Sequence, residues 1–187
     1  MVAAGCANEA NATPQPGQSS ARTWQSVSAG CPALTSPPYG VASKGKRVAD
    51  YVAPGERETL DKVVPGAVFD DTSCRYTAPG KVSPLITARI RIFSGAAGAA
   101  TATTWFESER SASSQIGGAD APGLADGAFA VYFEPALHLD ARSGNAYVSV
   151  EVLPGMENIR TFDKLHPLQQ QLPALTPVMK DLLASLQ

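Results

Sequence analysis

The chain has 187 residues, a length that suits one domain with tails, and 44% of them are hydrophobic, enough for a core. Fifteen basic residues against 17 acidic ones give a net charge of −2. The dense positive field that a phosphate backbone requires is missing, so no nucleic-acid partner is expected, and no stretch reaches the ~20 apolar residues of a membrane-spanning helix.

At the N-terminus, Ala3-Ala4-Gly5-Cys6 sets small residues before a cysteine, and a polar, proline-punctuated tract follows from Ala7 to Arg22. This is the layout of a bacterial lipoprotein processing site, where a signal peptide is removed in front of a lipid-modified cysteine. Met1 to Gly5 cannot supply the apolar core of about 7–15 residues of such a signal, so the reading expects further signal residues upstream. Ala3 also stands where leucine is more usual. The alternative is an ordinary thiol in a disordered leader. A lipid would act as an anchor, because each buried methylene contributes about 0.8 kcal/mol and more than one chain makes attachment stable. The tract from Asn8 to Arg22 has no apolar periodicity and cannot offset its ordering entropy. Residues 1–28 are therefore read as a lipobox remnant and disordered tether, and residues 29–187 as a single domain. Asn11-Ala12-Thr13 matches a glycosylation sequon, an accidental match in this setting.

With Cys6 acylated, Cys31 and Cys74 are left as an even pair, and export permits a disulfide between them. Closing that loop of about 44 residues contributes about 4 kcal/mol in the chain-entropy model. Two buried free thiols are the alternative. His138 and His166 lie far from both cysteines, so metal-ligand spacing is absent.

The folded part opens near Trp24 to Leu34, and Ser36-Pro37-Pro38-Tyr39-Gly40 breaks the chain. Pro54 to Leu60 can begin a short helix with Leu60, Val63 and Val64 facing inward. Ala67 to Thr77 reads as a strand with Cys74 and Tyr76 on one face. Leu85 to Phe93 alternates more cleanly: Ile86, Ala88, Ile90 and Ile92 point one way, Thr87, Arg89 and Arg91 the other. Ala78-Pro79-Gly80-Lys81 is the turn between these strands. Ala96 to Gln115 reads as a helix in which Ala102, Trp105, Phe106 and Glu109 recur at spacings of three and four, ended by Gly117-Gly118. Gly127 to Glu134 and Asn145 to Leu153 are further strands. Ser143-Gly144-Asn145 supplies a turn before the latter, and His138 to Arg142 is a short strand to pair with it. Asn158 to Gln187 carries a leucine stripe of period near 3.6, with Pro173 and Pro177 expected to kink or split the helix. Hairpins separated by a helix imply an α+β fold: a curved antiparallel sheet of about five strands with helices packed on one face.

These residues carry a resemblance. A lipid-attachment cysteine is followed by a Pro/Ser/Thr/Gln tract, then Cys31-Pro32-Ala33-Leu34, Cys74-Arg75-Tyr76, a hairpin, an alanine-rich helix and Gly144-Asn145-Ala146-Tyr147-Val148. Together they resemble actinobacterial lipoproteins of unknown function, whose domain is similar to the extracellular sensor domain of mycobacterial serine/threonine kinases. The resemblance spans roughly Trp24 to Gln187 and implies a PsbP-like layout, a curved antiparallel sheet flanked by helices. It departs in the charged insertion at 41 to 65 and in having one disulfide candidate where the kinase domains tend to have two. It brings no catalytic residues.

The chemistry in the sequence is sparse. His138, Asp140 and Ser143 could be imagined as a nucleophilic set, but no Gly-x-Ser-x-Gly elbow exposes a serine. His166 before Pro167 reads as a helix-start residue, and Glu107, Glu109 and Arg110 read as a solvated helix face. Asp70-Asp71-Thr72-Ser73 and Asp120 to Asp126 lack the ligand spacing of a calcium loop and read as turns. Arg89 and Arg91, with Lys81 nearby, are the candidate contacts to an anionic ligand, against the simpler reading of a polar sheet surface. Trp105 could line an apolar groove left by a helix on a curved sheet, against simple packing. The expectation is a non-enzymatic lipoprotein at the outer face of the cytoplasmic membrane, with no metal or cofactor. It would bind a small apolar or anionic ligand, or an envelope protein. The alternatives are a structural accessory of an envelope complex, and a hydrolase using the His138 region.

Overall fold

The computed structural model describes residues 22–28, 30–48, 55–80, 85–133, 136–153 and 167–187. Cys6, Lys81, His166, the sequon and most of the tether lie outside the described residues. The elements in chain order are β1 (Lys46–Val48), α1 (Glu56–Val63), β2 (Phe69–Thr77), β3 (Leu85–Phe93), α2 (Gly98–Ser114), β4 (Ala119–Asp120), β5 (Gly127–Phe133), β6 (Ala136–Ser143), β7 (Ala146–Leu153) and α3 (Leu168–Ala184). The fold is α+β, as the alternation of hairpins and helices implied.

The strands form one antiparallel sheet in the order β1-β2-β3-β7-β6-β5-β4. Among the described residues it has seven strands rather than about five. The extra ones are the two short edge strands, β1 and β4, whose two or three residues carry no legible period. The strand expected at His138 to Arg142 is longer, and it meets β7 through the two-residue turn Gly144-Asn145. Gly144 sits at φ 56°, and a Cβ there would overlap the Arg22 carbonyl, so only glycine fits this turn beneath the N-terminal segment.

Alternation along the strands builds two cores, one per face. Ile86, Ala88, Ile90 and Ile92 of β3, Leu137, Leu139 and Ala141 of β6, and Val148, Val150 and Val152 of β7 share one cluster with Leu175, Val178, Met179 and Leu182 of α3. On the opposite face Phe93, Phe129, Val131 and Tyr147 pack with Leu60 and Val64 at α1 and with Ala102, Trp105 and Phe106 of α2. Helices α1 and α2 pack together on one face, as expected of the helices, and α3 closes the other.

Pro173 and Pro177 do not split α3, which runs unbroken from Leu168 to Ala184. Each interior proline costs about 3 kcal/mol. The four fully buried apolar residues of α3 each contribute about 1.5–3 kcal/mol, which offsets that cost. The stretch of the leucine stripe from 158 to 166 lies outside the described residues.

Cys31 and Cys74 are bonded, with their Cα atoms 5.6 Å apart, which pins the entry segment to β2. Beside the bond, the Tyr76 hydroxyl donates to the Pro32 carbonyl at 2.8 Å, and burial pushes its pKa up to about 12. Trp24 to Ser28, within the span assigned to the tether and where the folded part was expected to open, belongs to the fold. Asn145 accepts the Trp24 amide proton at 2.6 Å and donates to the Trp24 carbonyl at 3.0 Å and to Phe93 O at 2.9 Å. Val27 bridges to Leu186. An asparagine side chain thus supplies the partners for the backbone of Trp24.

Candidate functional site

The site lies on the sheet face beneath α1 and α2. Two arginines of β3 start it. Arg89 and Arg91 both point to this face, where a solvent-facing surface or an anion site was expected. Helix α1 covers them instead: Gly55, at φ 85°, opens the helix and sets Glu56 in its first turn. Arg89 Nη1 donates to both Glu56 carboxylate oxygens at 2.6 Å. Arg91 Nη2 donates to Glu56 at 2.9 Å, and Arg91 grips Asp71 of β2 through Nε at 2.8 Å and Nη2 at 2.7 Å. Its guanidinium lies 4.4 Å from the Phe69 ring centre and 5.7 Å from that of Trp105. Arg91 has no exposed surface. A buried cation held by two carboxylates is a strut between β3, β2 and α1. Arg89 and Arg91, the candidate anion contacts, are thus both engaged by carboxylates of the chain itself.

Beside this strut is a cavity of about 350 Å³. Thr87 and Arg89 form its floor on β3, Tyr147, Ser149 and Glu151 on β7, and His138 and Asp140 on β6. Glu56 and Thr59 of α1 and Trp105 and Glu109 of α2 form its walls. The register explains the floor: Asp140 lies opposite Ser149, His138 opposite Glu151 and Arg89 opposite Ser149. On α2, Trp105 and Glu109 are four residues apart and share a face.

The electrostatics are those of carboxylates removed from water. Asp140 is buried, accepts the Tyr147 hydroxyl at 2.8 Å and is hydrogen-bonded by Ser149. Burial still pushes its pKa up, against the opposing pull of His138 and these hydrogen bonds. Tyr147 is raised too, by burial first and then by Asp140. Glu109 is pushed up to about 7 by burial, then by Asp140 and Glu56, with Arg91 opposing. Trp105 is 4% exposed, and its Nε1–H has no acceptor among the described residues. An unmet buried donor costs about 1–3 kcal/mol, which a folded protein ordinarily avoids.

The candidate residues separate as follows. Arg89, Trp105, His138 and Asp140 meet in the cavity, and Arg91 lies under it. Ser143 does not join His138 and Asp140: it falls on the opposite strand face, where its carbonyl accepts from Trp24 Nε1 at 2.9 Å. Glu109 is not on a solvated face; it looks into the cavity, whereas Arg110 pairs outside with Asp120 at 2.7 Å. Asp71, Asp120 and Asp126 are spent on Arg91, Arg110 and the Gly144 amide. No group of three metal-ligating side chains exists among the described residues. Sequence reasoning did not select Tyr147, Ser149 and Glu151, although their period-two spacing with the arginines of β3 carried the signal.

No protein-family model, curated protein or solved structure matches this chain.

Proposed function

We propose that this chain is an extracytoplasmic domain, lipid-anchored through Cys6, that captures a small polar solute in the cavity between α1, α2 and the sheet without transforming it. The cavity itself carries this reading, because a concave space whose walls bring together Trp105, Glu109, His138, Asp140 and Ser149 is the kind of place where small molecules bind. The Cys31–Cys74 bond supports an oxidising compartment. The polar walls argue against the apolar ligand first considered for this groove. Thermal melting of the full chain against a library of small polar metabolites tests the proposal. A stabilising solute should appear, and its effect should vanish in Thr87→Trp, which fills the cavity floor. A protein that no solute stabilises, yet that recovers one envelope protein consistently after crosslinking, would favour the structural-accessory reading.

One observation favours a second reading. Glu109, raised to about 7 beside Asp140, has the protonation of a general acid at neutral pH. Release of product from a bound solute, abolished by Glu109→Gln, would replace capture with hydrolysis.

A further inference from the structure

We infer that the cavity takes one unit of a neutral oligosaccharide, whose remaining units leave over Phe133; this rests on the ligand-capture reading above. The first support is the direction in which the cavity opens. The register sets this face of the sheet in rows. Arg91 and Tyr147 make the first row, and both are buried. Arg89, Ser149 and Asp140 make the second. Thr87, Glu151 and His138 make the third, and all three are half-buried. In the fourth, Leu85 stands opposite Leu153 and Ala136 opposite Phe133. The cavity is thus closed at the first row and opens toward the fourth.

The N-terminal segment enters at the closed end, where Asn145 clamps Trp24. Leu153 lies eight residues beyond Asn145, about 27 Å away at about 3.4 Å per residue. In a chain anchored through Cys6 the mouth therefore faces away from the bilayer, toward the polymers of the envelope rather than its lipid.

The walls select the chemistry. Thr59, Thr87 and Ser149 bring hydroxyls, with His138, Glu109 and Glu151 among them. A ligand bearing several hydroxyls matches such a mixed lining, because each of its hydroxyls donates and accepts. Neither sign of charge is favoured. Glu56 is bound to Arg89 and Arg91, and burial pushes Glu109 and Asp140 toward their neutral forms. An anion would meet Glu151 on the floor, and a cation Arg89.

Size and the mouth extend the argument from a sugar to a chain. The space of about 350 Å³ is at the small end of ligand sites, so a longer ligand continues outside it. A single exposed aromatic ring is ordinary on a protein surface. Phe133, 64% exposed, differs in its position: its ring centre is 6.4 Å from that of His138, a cavity residue, and Leu85 and Leu153 of its row are half-buried. The apolar C–H face of a sugar ring can lie on this row while its hydroxyls remain in water.

Isothermal titration of the full chain with maltotriose, cellotriose and tri-N-acetylchitotriose, and with glucose and N-acetylglucosamine, tests this. At least one trisaccharide should bind, about tenfold more tightly than its own monosaccharide. Phe133→Ala, at an exposed position that leaves the fold intact, should bring the trisaccharide down to the monosaccharide's affinity and leave the monosaccharide unchanged. Thr87→Trp should abolish both. A trisaccharide that binds no better than its monosaccharide, or that Phe133→Ala leaves unaffected, overturns the path over Phe133. If no sugar binds at about 10 mM while the library melts yield another solute, such as phosphate or choline, the saccharide is overturned and capture stands. If neither sugars nor library solutes bind, both readings fall.

Discussion

Glu109→Gln keeps the size of the side chain and removes its titration, so it isolates the electrostatics of the cavity. Folding raises the Glu109 pKa from its ordinary 4.5 to about 7. The folded state therefore prefers the protonated acid. The stability that this preference contributes is complete below about pH 4.5 and is lost as pH rises through about 7. The full displacement corresponds to at most about 3 kcal/mol at about 1.4 kcal/mol per tenfold. Glu109 keeps some contact with water, and screening reduces the figure to about 1–2 kcal/mol. Urea melts of the parent and Glu109→Gln should thus nearly coincide at about pH 4.5. By about pH 8 the variant should be more stable by about 1–2 kcal/mol. A difference that is flat with pH would refute the burial of Glu109 against Asp140 and Glu56. A difference that grows toward acid would reverse the sign of the argument.

Other perturbations test the frame. Arg91→Ala strands the buried Asp71 and leaves Glu56 with Arg89, and should cost about 3–5 kcal/mol in denaturant unfolding, whereas a loss under about 1 kcal/mol would show the strut to be idle. Reducing the Cys31–Cys74 bond, or replacing both cysteines with serine, should lower stability by up to about 4 kcal/mol, read as a lower unfolding midpoint. Asn145→Ala removes the three hydrogen bonds that clamp Trp24 and Phe93. It should cost about 1–3 kcal/mol and speed amide hydrogen exchange at Trp24.

Periodicity made the frame legible. Leu85 to Phe93 alternates so regularly that its bounds and both its faces could be read directly, and the cysteine count led to the disulfide. The edge strands were not legible, because a two-residue strand such as Ala119–Asp120 is defined by its neighbour β5 and not by its own pattern. The unbroken α3 depends on tertiary burial overriding proline. The site was legible only in fragments. Arg89, Trp105 and His138 drew attention singly, but the sheet register that joins them to Glu151 and Ser149 is a long-range property. The fate of Arg91 turned on Glu56, 35 residues earlier, whose role depends on where α1 lies.

The indole N–H of Trp105 reports on the central claim most directly. The chain has two tryptophans, so a proton–nitrogen correlation spectrum shows two indole signals, assigned with Trp24→Phe. On saturation with the solute that stabilises the chain in the melts, the Trp105 signal should move because its side chain lines the cavity, while the Trp24 signal, bonded to the Ser143 carbonyl, stays in place. A Trp105 signal that stays fixed while that solute saturates the protein would contradict the account, because the ligand would then sit elsewhere.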